Sequence, residues 1–152
     1  VLSFDRMPSI LSTAEAIRVA SNAKVIAVLG IKTVAQASQP AYFVPEYLSK
    51  CPGVKIIPVP VYYPDVREIL GEPVIRDLKQ INTQVDILDV FRPPAALDDA
   101  LLRDILSMDP RPVVVWLQKG IRNESFEKSL LDNGIDLVVD RCLKVDKQMS
   151  RL

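Results

Sequence analysis

The chain has 152 residues, 49% of them hydrophobic and 25% charged, which fits one domain, 1–152, with a substantial core. Its 19 basic and 19 acidic residues cancel, so no global charge draws it to nucleic acid or to an acidic membrane face. It has no histidine and two cysteines, Cys51 and Cys142, which argues against a zinc site or another metal centre and against a Ser-His or Cys-His nucleophile pair.

The first twenty residues, VLSFDRMPSILSTAEAIRVA, hold acidic side chains and no signal-peptide cleavage pattern. No apolar run reaches the roughly 18 residues of a membrane span. The expected compartment is the cytosol, with reduced thiols, and an organelle leader preceding Val1 stays open. Within an N-terminal helical extension over 1–22, SILSTAEAIRVAS places Ile10, Ala14, Ile17 and Val19–Ala20 at roughly helical spacing, with Ser9 or Ser12 as the cap. KVIAVLG (24–30) is an apolar run closed by glycine and reads as a buried strand. PAYFVPEYLSKC reads as helical from Pro40, a residue suited to a first turn. Pro45 requires either a start near Val44 or a distorted first turn.

VKIIPV (54–59) is the second strand, and one or two helical turns are expected around 65–70 and 77–81. VDILDVF (85–91) is the third. RPPAALDDALLRDILSM breaks at its prolines and then shows helical spacing at Leu97, Leu101 and Ile105. PVVVWL (112–117) is the fourth strand. NESFEKSLLDNG is a helix with Asn123 as N-cap, Phe126, Leu130 and Leu131 as its apolar stripe and Gly134 as its stop. IDLVVD (135–140) is the fifth strand, and 141–152 is a polar tail that wraps back onto the body.

Strands that are apolar runs, alternating with helices, predict an α/β fold: a doubly wound parallel five-stranded sheet in three layers. Ligands of such sheets bind beyond the carboxyl ends of the strands, where strand order reverses. That places the candidate site in loops 30–40, 59–64, 91–96 and 117–123. Gly30 with Lys32 and the helix start at Pro40 form either an ordinary turn or a phosphate-binding loop. Strand two ends in Val59, Pro60 and Val61, with no acidic residue to hold the ribose of NAD, but with a flat wall suited to an adenine ring. Phe91 and Arg92 are either core and surface residues or part of a ligand wall. Asp86, Asp89 and Asp140 read as structural or capping groups, and Cys142 as a buried or idle thiol.

Seven segments in order carry a family likeness: VIAVLGIK, QPAYFVPEYL, KIIPVPV, EILGEPV, VDILDVFRPP, VVWLQKGIRNE and VDRCLK. The chain resembles the small single-domain CoA-binding proteins, whose Rossmann-like fold is similar to the CoA-binding domain of the succinyl-CoA synthetase alpha subunit. The resemblance spans roughly residues 20 to 146. It implies coenzyme A or an acyl-CoA as ligand. The pyrophosphate maps to Gly30, Ile31, Lys32, Pro40, Ala41 and Tyr42. The adenosine maps to Val59, Pro60, Phe91, Arg92 and Pro93, and the pantetheine arm runs toward Gln118.

The chain departs from the family pattern in three places. Pro58-Val59-Pro60-Val61 lacks the family's asparagine and following cation. Gln39-Pro40-Ala41 lacks an arginine and a hydroxyl, and Asp146-Lys147 replaces Glu-His. Lys32, Arg92 and Arg67 are the candidate replacements for the lost phosphate-binding charge. The implied role is a non-catalytic carrier, sensor or regulator of CoA. The alternatives are a protein-interaction module with a vestigial nucleotide pocket and, ranked below it, an acyl-CoA-linked ligase or transferase component. A homodimer or an unidentified protein partner stays open.

Overall fold

A computed structural model describes residues 6–152. Residues 1–5 of the expected N-terminal extension lie outside the described part. The chain runs α1 (Thr13–Asn22), β1 (Val25–Leu29), α2 (Pro40–Ser49), β2 (Lys55–Val59), β3 (Glu68–Ile69), β4 (Glu72–Pro73), β5 (Ile87–Val90), α3 (Asp99–Leu106), β6 (Val114–Leu117), α4 (Glu124–Asp132), β7 (Asp136–Val138) and α5 (Leu143–Met149). The main sheet is parallel, in the order β2-β1-β5-β6-β7. From β1 the chain first adds β2 on one side, then returns to add β5 on the other. The strand order therefore reverses between β1 and β5, the position where doubly wound sheets open a crevice.

Both faces are covered, which is why the strands are runs of Val, Ile and Leu with no polar alternation. One face carries Ala27, Leu29, Leu88, Val90, Val115 and Leu117 and packs against Ile105 of α3 and Phe126 and Leu130 of α4. The other carries Ile26, Val28, Ile87, Val114 and Trp116 and packs against Ala16 and Ala20 of α1, Val44 and Leu48 of α2 and Leu143 of α5. Ala16 and Ala20 are almost wholly buried; their small side chains let α1 lie close to its neighbours.

The sheet edges are protected. Residues 9–11 run beside β7, with Leu11 N–H donating to the Leu137 carbonyl at 2.7 Å and Leu137 N–H to the Ser9 carbonyl at 3.0 Å. At the other edge β2 contains Pro58, which has no N–H to offer a further strand, and its carbonyl accepts from Ile75 N–H.

Local signals explain most helix ends. Ser12, the second of the two candidate caps, forms a capping box with Glu15: Ser12 N–H donates to Glu15 Oε1 at 2.8 Å and Glu15 N–H to Ser12 Oγ at 3.2 Å. Asn123 Oδ1 accepts from Phe126 N–H at 3.0 Å, and Gly134 takes a φ of 83° beyond α4.

Two expectations are corrected. Residues 68–73 form a two-strand hairpin where a helical turn was expected. Leu70 and Gly71 at its tip both have positive φ, 55° and 77°, the geometry of a two-residue hairpin loop. Residues 77–81 do contain a helical turn, a short 3₁₀ segment at Leu78–Gln80. The tail after 141 is helix α5, with buried Leu143 and Asp146; its apolar positions are too few to show helical spacing in the sequence.

Candidate functional site at the carboxyl edge

The carboxyl ends of β1, β5 and β6 open into a cavity of about 560 Å³ at the strand-order reversal, within the usual size range of small-molecule sites. The loop after β1 contributes Lys32; the start of α2 contributes Gln39, Pro40, Ala41 and Phe43. Phe91, Arg92 and Pro93 follow β5, Gln118, Lys119 and Ile121 follow β6, and Cys142 precedes α5. Carbon surfaces dominate the walls, with two lysines, an arginine and two amides placed among them.

Pro45 does not delay α2. The helix begins at Pro40, and Pro45 sits inside it. A residue at that position would normally donate its N–H to the Ala41 carbonyl, and proline has none. The Lys32 N–H takes the place, donating to the Ala41 carbonyl at 3.0 Å. The proline thus frees an acceptor that ties the loop after β1 to the first turn of α2, and both flank the cavity. The helix start itself offers few amides. Pro40 lacks an N–H, and the N–H groups of Tyr42 and Phe43 both point to the Gln39 carbonyl, which leaves Ala41 as the amide for an anion.

Gly30 has a φ of 86°, and a Cβ built there would lie 2.1 Å from the Phe91 carbonyl oxygen. The glycine lets the ends of β1 and β5 pass one another, a closer constraint than the ligand approach expected for it. Ile31, Val59 and Pro60 are buried and lie off the cavity wall. Tyr42 is buried too; it lines a separate cavity beside Tyr63 and Ile69, and burial raises its hydroxyl pKa. Among the sequence-derived site residues, Lys32, Pro40, Ala41, Phe91, Arg92, Pro93 and Gln118 come together on the cavity wall; Gly30, Ile31, Tyr42, Val59 and Pro60 do not. Arg67 is exposed on the hairpin side and lies off that wall.

Gln118 is 3% exposed. Its Oε1 accepts from Leu143 N–H at 3.1 Å, which orients the amide and leaves Nε2 for the cavity. Trp116 is core: it is fully buried and its Nε1–H donates to the Arg141 carbonyl at 2.8 Å. Tyr62, at the outer rim, has the Arg92 guanidinium carbon 5.9 Å and Lys32 Nζ 6.0 Å from its ring centre. Arg92 beside its hydroxyl, with a smaller contribution from Lys32, holds that phenol below the usual tyrosine range. The two cations therefore converge on one point of the rim. Gln39, Phe43, Lys119, Ile121 and Cys142 were not selected from the sequence. The first two flank Pro40, and the position of Cys142 depends on β7 lying beside β6, which no local pattern encodes.

The carboxylates divide. Asp86 Oδ2 accepts from the N–H groups of Lys24 and Val25 at 2.8 and 2.9 Å, and Asp140 Oδ1 accepts from Gly120 N–H at 2.6 Å. Both are structural caps, as expected. Asp89 is not: it is wholly buried on β5 between Val28 and Trp116, and neither oxygen has a hydrogen-bond partner among the described residues. Burial pushes its carboxyl well above the ordinary carboxylate range. The native state then holds a proton that the unfolded chain releases near pH 4. Stability from this group is fully present below that value and falls as pH rises through the native pKa, by about 1.4 kcal/mol per pH unit while the two states differ. Asp89→Asn carries no such dependence. Urea unfolding of both proteins should show the variant gaining on the wild type as pH rises from 4.5 to 7.5, by up to about 1.4 kcal/mol per pH unit; a difference that does not change with pH would contradict a neutral, unpartnered Asp89.

Among the described residues no group of three or more His, Cys, Asp or Glu side chains is placed to hold a metal ion, and no helix is long and apolar enough to cross a membrane. Residues 24–148 match the model of the CoA binding domain family. The chain belongs to that family. It is 31% identical over 140 residues to the uncharacterized protein YneT of Bacillus subtilis (strain 168), covering 92% of this chain and 97% of YneT. The structure of ID.343 from Thermus thermophilus is similar at 41% identity and a TM-score of 0.79, covering 92% of this chain and 99% of that one. A hypothetical protein from Pyrococcus horikoshii OT3, 20% identical, shares the fold with a TM-score of 0.77, over 99% of this chain and the whole of the other.

The donor set fits the family's ligand. Lys32, Arg92 and the Ala41 N–H suit phosphates; Phe91 and the proline-lined walls suit flat or apolar groups; the Gln118 amide suits the carbonyl of a pantetheine arm.

Proposed function

We propose that this protein binds coenzyme A or an acyl-CoA reversibly at the carboxyl edge of the sheet and acts without catalysis, as a carrier, sensor or regulator of the CoA pool. The supporting observation is the cavity at the β1/β5 reversal, whose wall brings Lys32, Arg92 and the start of α2 together with the Gln118 amide. CoA has phosphates at one end and an amide-bearing arm ending in a thiol at the other, and the wall offers cations for the first and an amide for the second. The non-catalytic part of the proposal is supported by the make-up of the wall. Its titratable groups are Lys32, Arg92, Lys119 and Cys142, with no acid–base pair set against a nucleophile.

Isothermal titration with CoA, acetyl-CoA, ATP and NAD tests the proposal. CoA and acetyl-CoA are expected to saturate while NAD does not; no saturation by either CoA species up to about 1 mM, where binding is only ~4 kcal/mol, would overturn it. Arg92→Ala should weaken CoA binding about 10- to 100-fold, the effect of one charge-assisted phosphate contact, with the loss shrinking at high salt. Acetyl-CoA hydrolysis or acyl transfer above the protein-free rate would instead favour an enzymatic role.

A further inference from the structure

We propose that Cys142 is an attachment point for coenzyme A, held there as a mixed disulfide formed by thiol–disulfide exchange. The inference rests on the CoA-binding reading and adds a covalent, redox-dependent state to it. Cys142 is a free, half-buried cysteine on the cavity wall. It is fixed from both sides along the chain. The preceding residue, Arg141, accepts the Trp116 indole N–H through its carbonyl at 2.8 Å, and the following residue, Leu143, donates its N–H to Gln118 Oε1 at 3.1 Å. The Cys142 carbonyl itself accepts from Asp146 N–H at 3.1 Å. A thiol at a cavity wall is thus held on a rigid backbone and not on a mobile loop.

The second observation is the Gln118 amide. The side chain is 3% exposed, its oxygen is spent on Leu143, and its Nε2 has no acceptor among the described residues while the residue lines the cavity. That donor opens onto the cavity, where a ligand carbonyl can accept from it in place of water. The pantetheine arm supplies amide carbonyls, and its thiol lies two methylene groups past its last amide nitrogen. Anchoring that amide at Gln118 brings the thiol into the part of the cavity bounded by Cys142. The other cysteine offers no such route: Cys51 is buried, its Sγ lies 3.6 Å from the Tyr47 carbonyl, and it is not on this wall.

The reaction balances with CoA disulfide as oxidant. The Cys142 thiolate attacks one sulfur of the disulfide, a new Sγ–S bond forms as the old S–S bond breaks, and one CoA leaves as thiolate and takes up a proton. The lone pair of the Cys142 thiolate forms the new bond and the electron pair of the old S–S bond leaves with the departing CoA, so one disulfide replaces another with no further oxidant. A free thiol reverses the step by the same exchange. The site would then hold CoA reversibly in reducing conditions and lock it when CoA becomes oxidised.

The test uses the whole protein with CoA disulfide, read by non-reducing intact mass and peptide mapping, with oxidised glutathione in parallel. The expected result is one adduct, of one CoA less two hydrogens, mapped to Cys142, reversed by dithiothreitol and still formed by Cys51→Ser. It should form at least about tenfold faster than the glutathione adduct, because binding raises the effective concentration of the CoA disulfide. Mapping locates the adduct on wild-type protein, so the result does not depend on a Cys142 variant folding. No adduct, an adduct on Cys51, or equal rates with glutathione would overturn the proposal. Titration of reduced CoA against wild-type protein under a phosphine reductant separates the two readings. Saturation without any adduct removes the covalent step alone; no saturation and no adduct removes the CoA-binding reading as well.

Discussion

Gly30→Ala is expected to destabilise the protein by about 2–5 kcal/mol, the sum of left-handed backbone strain on a residue with a Cβ and of overpacking at a crowded contact. The backbone at Gly30 has a φ of 86°, and its Cβ position lies 2.1 Å from the Phe91 carbonyl oxygen and 3.3 Å from the Arg92 side chain. Gly134 provides the control. Its φ is 83°, nearly the same, but nothing lies within 4 Å of a Cβ built there, so Gly134→Ala should show the strain alone, about 1–2 kcal/mol. The difference between the two urea unfolding free energies isolates the contact between the ends of β1 and β5. Equal losses would show that the close approach does not demand glycine at 30. The same contact links stability to ligand binding. Relief of the clash must push Phe91 and Arg92 outward, and both line the cavity. CoA affinity measured at a temperature where the variant is still folded should therefore fall as well.

How much of this could be seen in the sequence depends on how local its cause is. The five strands were legible because burial on both faces makes each a run of Val, Ile and Leu. Ser12 and Asn123 were legible because an N-cap is decided within three residues. The hairpin at 68–73 was not, since Leu70 at positive φ and Pro73 in a strand both run against propensity. The short β3–β4 pair is held by its closure over β2, with Val74 N–H bonded to the Arg67 carbonyl and Ile75 N–H to Pro58.

The candidate site divides in the same way. Lys32, Pro40, Arg92 and Gln118 lie just after strands or at a helix start, so the rule about carboxyl ends finds them. Cys142 reaches the same cavity only because β7 pairs with β6 and α5 turns back over α1 and α2. Asp89 is indistinguishable in sequence from the capping Asp86, since it differs only in what surrounds it. Pro45 shows the limit from the other side. Its apparent conflict with a helix is settled by a donor from the preceding loop, Lys32, thirteen positions away in the chain.

Arg141→Met is expected to cost about 3 kcal/mol, the lower end of the range for breaking a buried ion pair by removing one partner. Arg141 donates from Nε to Asp146 Oδ2 at 2.7 Å and from Nη2 to Oδ1 at 2.8 Å, and its Nη1 reaches Thr13 Oγ1 at 3.1 Å. Asp146 is 1% exposed, whereas the arginine side chain is 30% exposed. Partial access of water to the arginine places the estimate at the lower end. The loss arises chiefly from the carboxylate left behind, so Arg141→Met combined with Asp146→Leu should be more stable than Arg141→Met alone, despite the second substitution. Urea unfolding of the two singles and the double measures this directly. A double variant at least as unstable as the sum of the singles would show that the pair acts through packing and not through charge. The pair also holds the segment that carries Cys142 on the cavity wall. Arg141 carries the carbonyl bonded to Trp116, and α5 begins with the N–H bonded to Gln118. A double variant that recovers stability but not CoA affinity would place the function of the ion pair in holding Gln118 and Cys142 in register, where a stable core alone does not.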